Sequence, residues 1–164
     1  MFREMRRKAQ GLPMDECLRI LSETTHGVLA VCGDDGYPYA VPLNHVMLDG
    51  KIYFHCAVEG HKLDAILNCD KVSFCAIDAS DVDGPAYVTQ YRSVIAFGRA
   101  RIVREDESKM RALVALCEKF CPPDSQRHMQ EIRLSYDHAA IVEMTIEHLS
   151  GKESRALAAQ RKQA

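Results

Sequence analysis

Apolar and polar positions alternate with a period of two over most of the chain and take a helical period in only a few stretches. Gly27-Val28-Leu29-Ala30-Val31-Cys32 is a short apolar run that reads as a strand, and Asp34-Asp35-Gly36 reads as a hairpin turn after it. From Pro38 to Met47, Tyr39, Val41, Leu43, His45 and Met47 share one face, while Ala40, Pro42, Asn44 and Val46 share the other. Asp49-Gly50 forms a second tight turn, and the chain returns from Lys51 to His55. Lys71 to Asp78 is a further strand with Val72, Phe74 and Ala76 on one face. In the strand-rich stretch from Tyr87 to Val103, Ser93, Ile95, Phe97 and Arg99 alternate with Val94, Ala96, Gly98 and Ala100. Gly98 marks a bulge there. Ala139 to Ile146 closes the set.

The helical stretches are fewer. Pro13 with Asp15 and Glu16 starts a helix whose apolar face is Cys17, Leu18, Ile20 and Leu21, ending near Glu23. Gly60 to Asn68 is a short helix with Leu63, Ile66 and Leu67 facing inward. Glu105-Asp106-Glu107 opens a third, with a stripe through Met110, Leu113, Val114, Leu116, Cys117 and Phe120, stopped by Pro122-Pro123. A fourth helical segment covers about Ser125 to Leu134. Ala79 to Pro85 is acidic and punctuated by Gly-Pro, and reads as a long exposed loop. Residues 1–12 and 153–164 read as mobile tails of a single domain spanning 1–164, with no internal repeat or linker. Many short strands with Gly and Asp turns predict a mainly β fold, a closed or split antiparallel barrel with helices packed outside.

Length and charge narrow the function classes. The 164 residues suffice for one domain with a sizeable core. A formal net charge of −2 implies no broad nucleic-acid surface, although Arg3, Arg6, Arg7 and Lys8 cluster near the start. No apolar run is long enough to span a bilayer, and no apolar signal segment follows the basic residues, so neither a membrane association nor a signal peptide is expected. The seven cysteines show no disulfide-scaffold spacing and mostly occupy apolar positions, which predicts a reducing, cytoplasmic setting.

Three features carry candidate chemistry. Pro42 lacks an N–H for a ladder, so its strand has a bulge, lies on a sheet edge, or faces something other than a strand, such as a flat aromatic ligand. At Tyr53-Phe54-His55-Cys56-Ala57-Val58-Glu59-Gly60-His61-Lys62 a strand ends where a helix begins. The unpaired N–H groups of that helix start, with Lys62 beside them, favour an anion. Cys117 and Cys121 lie four apart on one helical face with His128 following, as half a metal site would require. No second pair completes that set and Cys117 belongs to the apolar stripe, so no metal is expected. The chain has no GxGxxG, GxxxxGK[ST] or GxSxG motif.

The ordered set Ala40-Val41-Pro42-Leu43-Asn44, Tyr53 through Cys56 with Gly60-His61-Lys62, Ser93-Val94-Ile95-Ala96-Phe97-Gly98 and Ser150-Gly151-Lys152-Glu153 resembles the FMN-binding split β-barrel family related to pyridoxamine 5′-phosphate oxidase. The nitroimidazole-resistance branch is the nearest. The resemblance covers roughly Met14 to Leu157. It implies an FMN-binding split antiparallel β-barrel and a homodimer with flavin sites at the interface. It also implies that His61 and Lys62 hold the flavin phosphate, with His55, Cys56 and Ala57 beside the phosphate and ribityl chain. Ala40, Val41, Pro42, Leu43 and Asn44 would run along the ring, and Ser93 would come from the opposite subunit. Two positions depart from the family: Cys56 replaces a usual hydroxyl residue and donates more weakly, and His61 replaces Arg or Lys. The chain lacks the Arg/His-rich C-terminal substrate motif of true pyridoxamine phosphate oxidases, so that activity is not expected. The leading expectation is an FMN-dependent oxidoreductase of the nitroimidazole-resistance type acting on a small electron-poor substrate, with His55 as the catalytic proton donor. The alternatives are a non-enzymatic flavin storage or sensor module, or the same barrel holding haem or a deazaflavin.

Overall fold

The alternating stretches form seven antiparallel strands of one curled sheet, a half-barrel with helices on its flanks; the structure, a computed structural model, describes residues 2–163. The strands are β1 (His26–Cys32), β2 (Pro38–Asn44), β3 (Val46–Leu48), β4 (Lys51–Ala57), β5 (Lys71–Asp83), β6 (Val88–Ile102) and β7 (Ala139–Glu153). Their order across the sheet is β2-β1-β5-β6-β7-β4-β3. Among the described residues the α-helices are α1 (Met14–Glu23), α2 (His61–Asn68), α3 (Asp106–Phe120), α4 (Ser125–Ser135) and α5 (Arg155–Arg161).

Period-two alternation places one set of side chains inside the curl. Leu29, Ile52, Phe54, Phe74, Val94, Val142 and Met144 are buried there, closed off by Ile20 and Leu21 of α1 and by Leu63 and Ile66 of α2. A second core lies on the opposite face of β4 and β7. Tyr53, Ala139 and Ile141 pack there against Ala112, Leu113 and Leu116 of α3 and Ile132 of α4. Strand β4 therefore feeds both cores by turns, which determines where its last residues point.

The turn chemistry follows the sequence. Asp49 and Gly50 both have positive φ (51° and 74°), the two-residue geometry whose twist suits a hairpin. The register of β6 against β7 shifts between Phe97 and Gly98. A Cβ at Gly98 would lie 2.0 Å from the Thr145 carbonyl oxygen, so the bulge there admits no side chain.

Several expectations are corrected. Ala79 to Pro85 is not a loop: β5 runs through it to Asp83 and pairs with β6 up to Val88, with a register shift between Ile77 and Ala79. The stretch Pro38–Met47 is not one strand but breaks at His45, which turns inward, is fully buried, and bonds the Leu21 carbonyl through Nε2 at 2.7 Å. Leu67 is exposed rather than inward. The closing strand continues from Ile146 to Glu153, because its outward residues need no apolar partner.

The segments read as mobile tails meet at the end of β7. Gln10 Nε2 donates to the Glu153 carbonyl at 2.9 Å, and Ala158 of α5 is buried. The fully buried Glu153 carboxylate accepts from Arg92 Nε at 3.1 Å and Arg161 Nε at 2.8 Å. Burying a carboxylate is tolerable only with such partners.

Candidate functional site

Backbone pairing leaves a split in the barrel. Among the described residues strand β2 pairs only with β1, and it is therefore a sheet edge, the setting in which Pro42 is tolerated. Strand β3 pairs with β4 only as far as Tyr53, so among the described residues Phe54 to Ala57 bond β7 on one side and no strand on the other. Asn44 at the end of β2 and His55, Cys56 and Ala57 of β4 line one cavity. On β2, Ala40, Pro42 and Asn44 point outward and are exposed, whereas Val41 and Leu43 pack against the barrel core. Any ligand along β2 thus meets its backbone and small outward side chains, not Val41 or Leu43.

The junction of β4 and α2 has the character its sequence predicts. Gly60 precedes the helix with φ 130°, and no side chain caps the first turn. The Leu63 and Asp64 N–H groups bond the Gly60 carbonyl, which leaves those of His61 and Lys62 without an intrahelical partner at the positive end of the helix dipole. Lys62 is half-buried, makes no ion pair among the described residues, and sits close enough to Cys56 to act on its thiol. Burial pushes the Cys56 thiol up, and the Lys62 charge opposes that shift, so Cys56 is a neutral thiol at pH 7. The His61 ring stacks on Tyr39, with centroids 4.2 Å apart and planes at 13°, and its Nε2 lies 3.4 Å from Asp34 Oδ2. The β1–β2 turn is thereby held against the start of α2.

His55 faces outward, two residues after Tyr53 on the same side of β4. It lines a cavity of about 550 Å³ between the sheet and helices α3 and α4. Leu113, Leu116 and Phe120 of α3, Ile132 of α4 and Ala139 of β7 form apolar walls; Asn44, Glu131, Ser135 and His138 supply polar groups, and Cys117 and Cys121 supply thiols. Pockets of this size and mixture take small organic molecules. The α3 and α4 walls are the part of the site that sequence reading missed. Their signal was the α3 stripe, which is wider than one core contact needs and continues to Phe120 and Cys121.

Ser93 lies elsewhere. It pairs with Ile77 and Lys152 and lines a separate cavity of about 380 Å³ with Ile95, His148 and Ser150, beneath Phe2 to Met5. Within one chain it does not join Lys62 or His55. His128 is buried against the Pro122 carbonyl, bonded at 2.9 Å through Nε2, and does not face Cys117 and Cys121 as a ligand. Among the described residues no group of three or more His, Cys, Asp or Glu side chains is placed to hold a metal ion. His45 is held neutral: burial, against the bond to Leu21, lowers its pKa to about 4.

The profile of the pyridoxamine 5′-phosphate oxidase family matches residues 13–153, from the residue before α1 to the last residue of β7. The chain belongs to the pyridoxamine 5′-phosphate oxidase family. Among solved structures, a conserved protein of Mycobacterium tuberculosis superposes with a TM-score of 0.81 at 21% identity, over 94% of this chain and 92% of that one. A protein of Bacteroides thetaiotaomicron, provisionally named for 5-nitroimidazole antibiotic resistance, gives 0.72 at 16% identity over 87% and 86%. An FAD-binding protein of Mesorhizobium loti gives 0.64 at 22% identity over 88% and 96%. These likenesses establish the oxidase-family split barrel as the fold. No curated protein sequence matches the chain. Among the described residues, no helix of this family member is long and apolar enough to cross a membrane.

Proposed function

We propose that the protein is an FMN-dependent oxidoreductase of the nitroimidazole-resistance type, acting as a homodimer on a small electron-poor organic molecule. The observation that carries this reading is the cavity of about 550 Å³ that meets His55, Cys56 and Ala57 at the unpaired end of β4. A flavin mononucleotide asks for an anion site, open backbone along a flat ring, and a chamber on one side of that ring. The uncapped start of α2 with Lys62, the free edge of β2 and the His55 cavity fit those needs. The FAD-binding protein of Mesorhizobium loti, which shares the fold, supports a flavin, and the nitroimidazole-named structure supports the substrate class.

Bound FMN would supply the electron transfer to the substrate. The rest is done by the chain. Lys62 and the first N–H groups of α2 bind the phosphate, with His61 beside them and Cys56 as a weak donor. The backbone of Ala40 to Asn44 orients the ring. Leu113, Leu116, Phe120 and Ile132 exclude water from the substrate's apolar side, and an imidazole nitrogen of His55 delivers a proton to the reduced substrate. Ile95 and Phe97 leave 40% and 37% of their surface exposed on the outer face of β6, beside Ser93. A second copy seated there would cover them and bring Ser93 of the partner subunit to the flavin.

The test is anaerobic turnover of FMN-loaded protein with NADH or NADPH and a nitroaromatic acceptor. His55→Ala should keep its flavin and lose about 10²-fold in kcat, the usual scale for a lost proton donor. A flavin that neither donor reduces overturns the enzyme reading; an unchanged kcat in His55→Ala overturns the role of His55 as proton donor.

A further inference from the structure

Residues paired directly across strands share one face of a sheet. On the outer face, Ala40 of β2 lines up with Ala30, Ser73, Phe97 and His148 across β1, β5, β6 and β7. The neighbouring row runs in the same way from Pro42 on β2 through Val28, Cys75 and Ile95 to Ser150 on β7. Neither row holds an Asp, Glu, Lys or Arg. An antiparallel face turned to water carries polar and charged side chains at its outward positions, so a face of small and apolar ones is built to be covered.

Within the protomer its cover is residues 2–5. The Phe2 ring stacks on His148, with centroids 4.7 Å apart and planes at 9°, and lies 5.5 Å from the Phe97 ring. Under the rest of the segment a cavity of about 380 Å³ remains, lined by Ser93, Ile95, Ser150 and Lys152. Among the described residues no backbone hydrogen bond ties residues 2–5 to the sheet, and Phe2 itself is 42% exposed. A segment held by one stacked ring over a void is weakly bound. It also cannot stay beneath a docked sheet. Sheets packed face to face lie about 10 Å apart, a gap filled by their own side chains with no room for another layer of backbone. Arg3 and Glu4 would moreover be taken out of water there.

We propose that residues 2–5 are a displaceable cover on the homodimer face: they shield Ser93, Phe97 and His148 in the lone protomer and leave when a second copy docks. This rests on the homodimer proposed above. A second copy fits because the face can pair with itself. Strand β5 is the middle one of the five that carry the two rows, so a two-fold axis running along it lays the β2 end of one chain on the β7 end of the other. Ala40 and Pro42, on the open edge of the flavin site, then face His148 and Ser150 of the partner subunit. Release of the cover and completion of both flavin sites are a single event.

The test is sedimentation equilibrium of the full chain over a dilution series with FMN present. Phe2→Ala should dimerise more tightly than the native chain, by about tenfold for each of the two stacks no longer given up. Ile95→Glu, at an outward position of the face, should stay monomeric where the native chain is dimeric. Phe2→Trp places a reporter on the cover of a chain that otherwise has no tryptophan. Its emission should shift to the red as rising concentration drives dimerisation and frees the ring into water. A Phe2→Ala dimer no tighter than the native one, or an emission that stays fixed or moves to the blue, would overturn the cover and leave the homodimer standing. A chain monomeric in every form, or Ile95→Glu dimerising like the native chain, would overturn the homodimer face and the cover with it.

Discussion

Replacing Glu143 by Gln should remove much of the protein's stability in neutral solution and little of it in acid. Glu143 is 4% exposed on β7 and accepts from Tyr53 Oη at 2.6 Å, Arg101 Nε at 2.9 Å and Lys51 Nζ at 3.0 Å. Burial alone would push its carboxyl up, but the hydrogen bonds from Arg101, Tyr53 and Lys51 outweigh it and bring the pKa from 4.5 to about 2. Burial, with the same contact, raises Tyr53 to about 12, so both ends agree that the Tyr53 proton stays on the phenol and the charge on Glu143. At ~1.4 kcal/mol per pKa unit, a lowering of this size is worth about 3 kcal/mol of folding free energy. Because the folded pKa is below the unfolded one, the stabilisation is complete well above pH 4.5 and is lost as pH falls toward about 2. Urea unfolding of the native chain and of Glu143→Gln should therefore differ by about 3 kcal/mol at pH 7 and by roughly half that at pH 3. Comparing the two proteins cancels the other carboxylates. A gap that stays constant from pH 7 to pH 3 would refute the network as described.

Two further substitutions probe the frame around the site. Gly98→Ala puts a Cβ 2.0 Å from the Thr145 carbonyl, a backbone atom of the paired strand that cannot step aside. It should cost about 3 kcal/mol or more, seen as a Tm lower by roughly 10 °C; an unchanged Tm would show that the bulge is pliable. Glu153→Gln leaves Arg92 and Arg161 without their buried partner and should cost about 3 kcal/mol. Limited proteolysis should then cut near α5, whereas a cleavage pattern identical to the native one would mean that the ion pairs do not hold that helix.

The sequence revealed the parts of the fold that depend on local chemistry. Asp49-Gly50, the bulge at Gly98 and the start of α2 each need a particular residue type at one position, and each stands where it was expected. What it hid depends on partners distant in the chain. Ala79 to Pro85 looked like a loop because the stretch is acidic and punctuated by Gly-Pro; as far as Asp83 it is a strand because its backbone pairs with β6, which no hydropathy pattern reports. His45 looked like one more strand position, yet it interrupts the strand because a carbonyl on α1 waits for its ring. The junction residues Cys56 and Lys62 were legible as a strand end and a helix start, and the Lys62 charge does act on the Cys56 thiol. The chamber beside His55 was not legible, since its walls come from Asn44, from β4 and from two helices some sixty residues further on. Ser93 could not be joined to the other candidates from one chain, because the expectation placed it across a subunit boundary.

We propose that the split between β2 and β4, with Lys62 at its base, holds FMN. The visible absorption spectrum of the native protein and of Lys62→Ala, taken after incubation with FMN and desalting, tests it most directly. The native protein should keep the flavin bands at about one FMN per chain and Lys62→Ala should lose most of them, while Lys71→Ala keeps them. A colourless native protein, or equal retention by all three, would contradict the account.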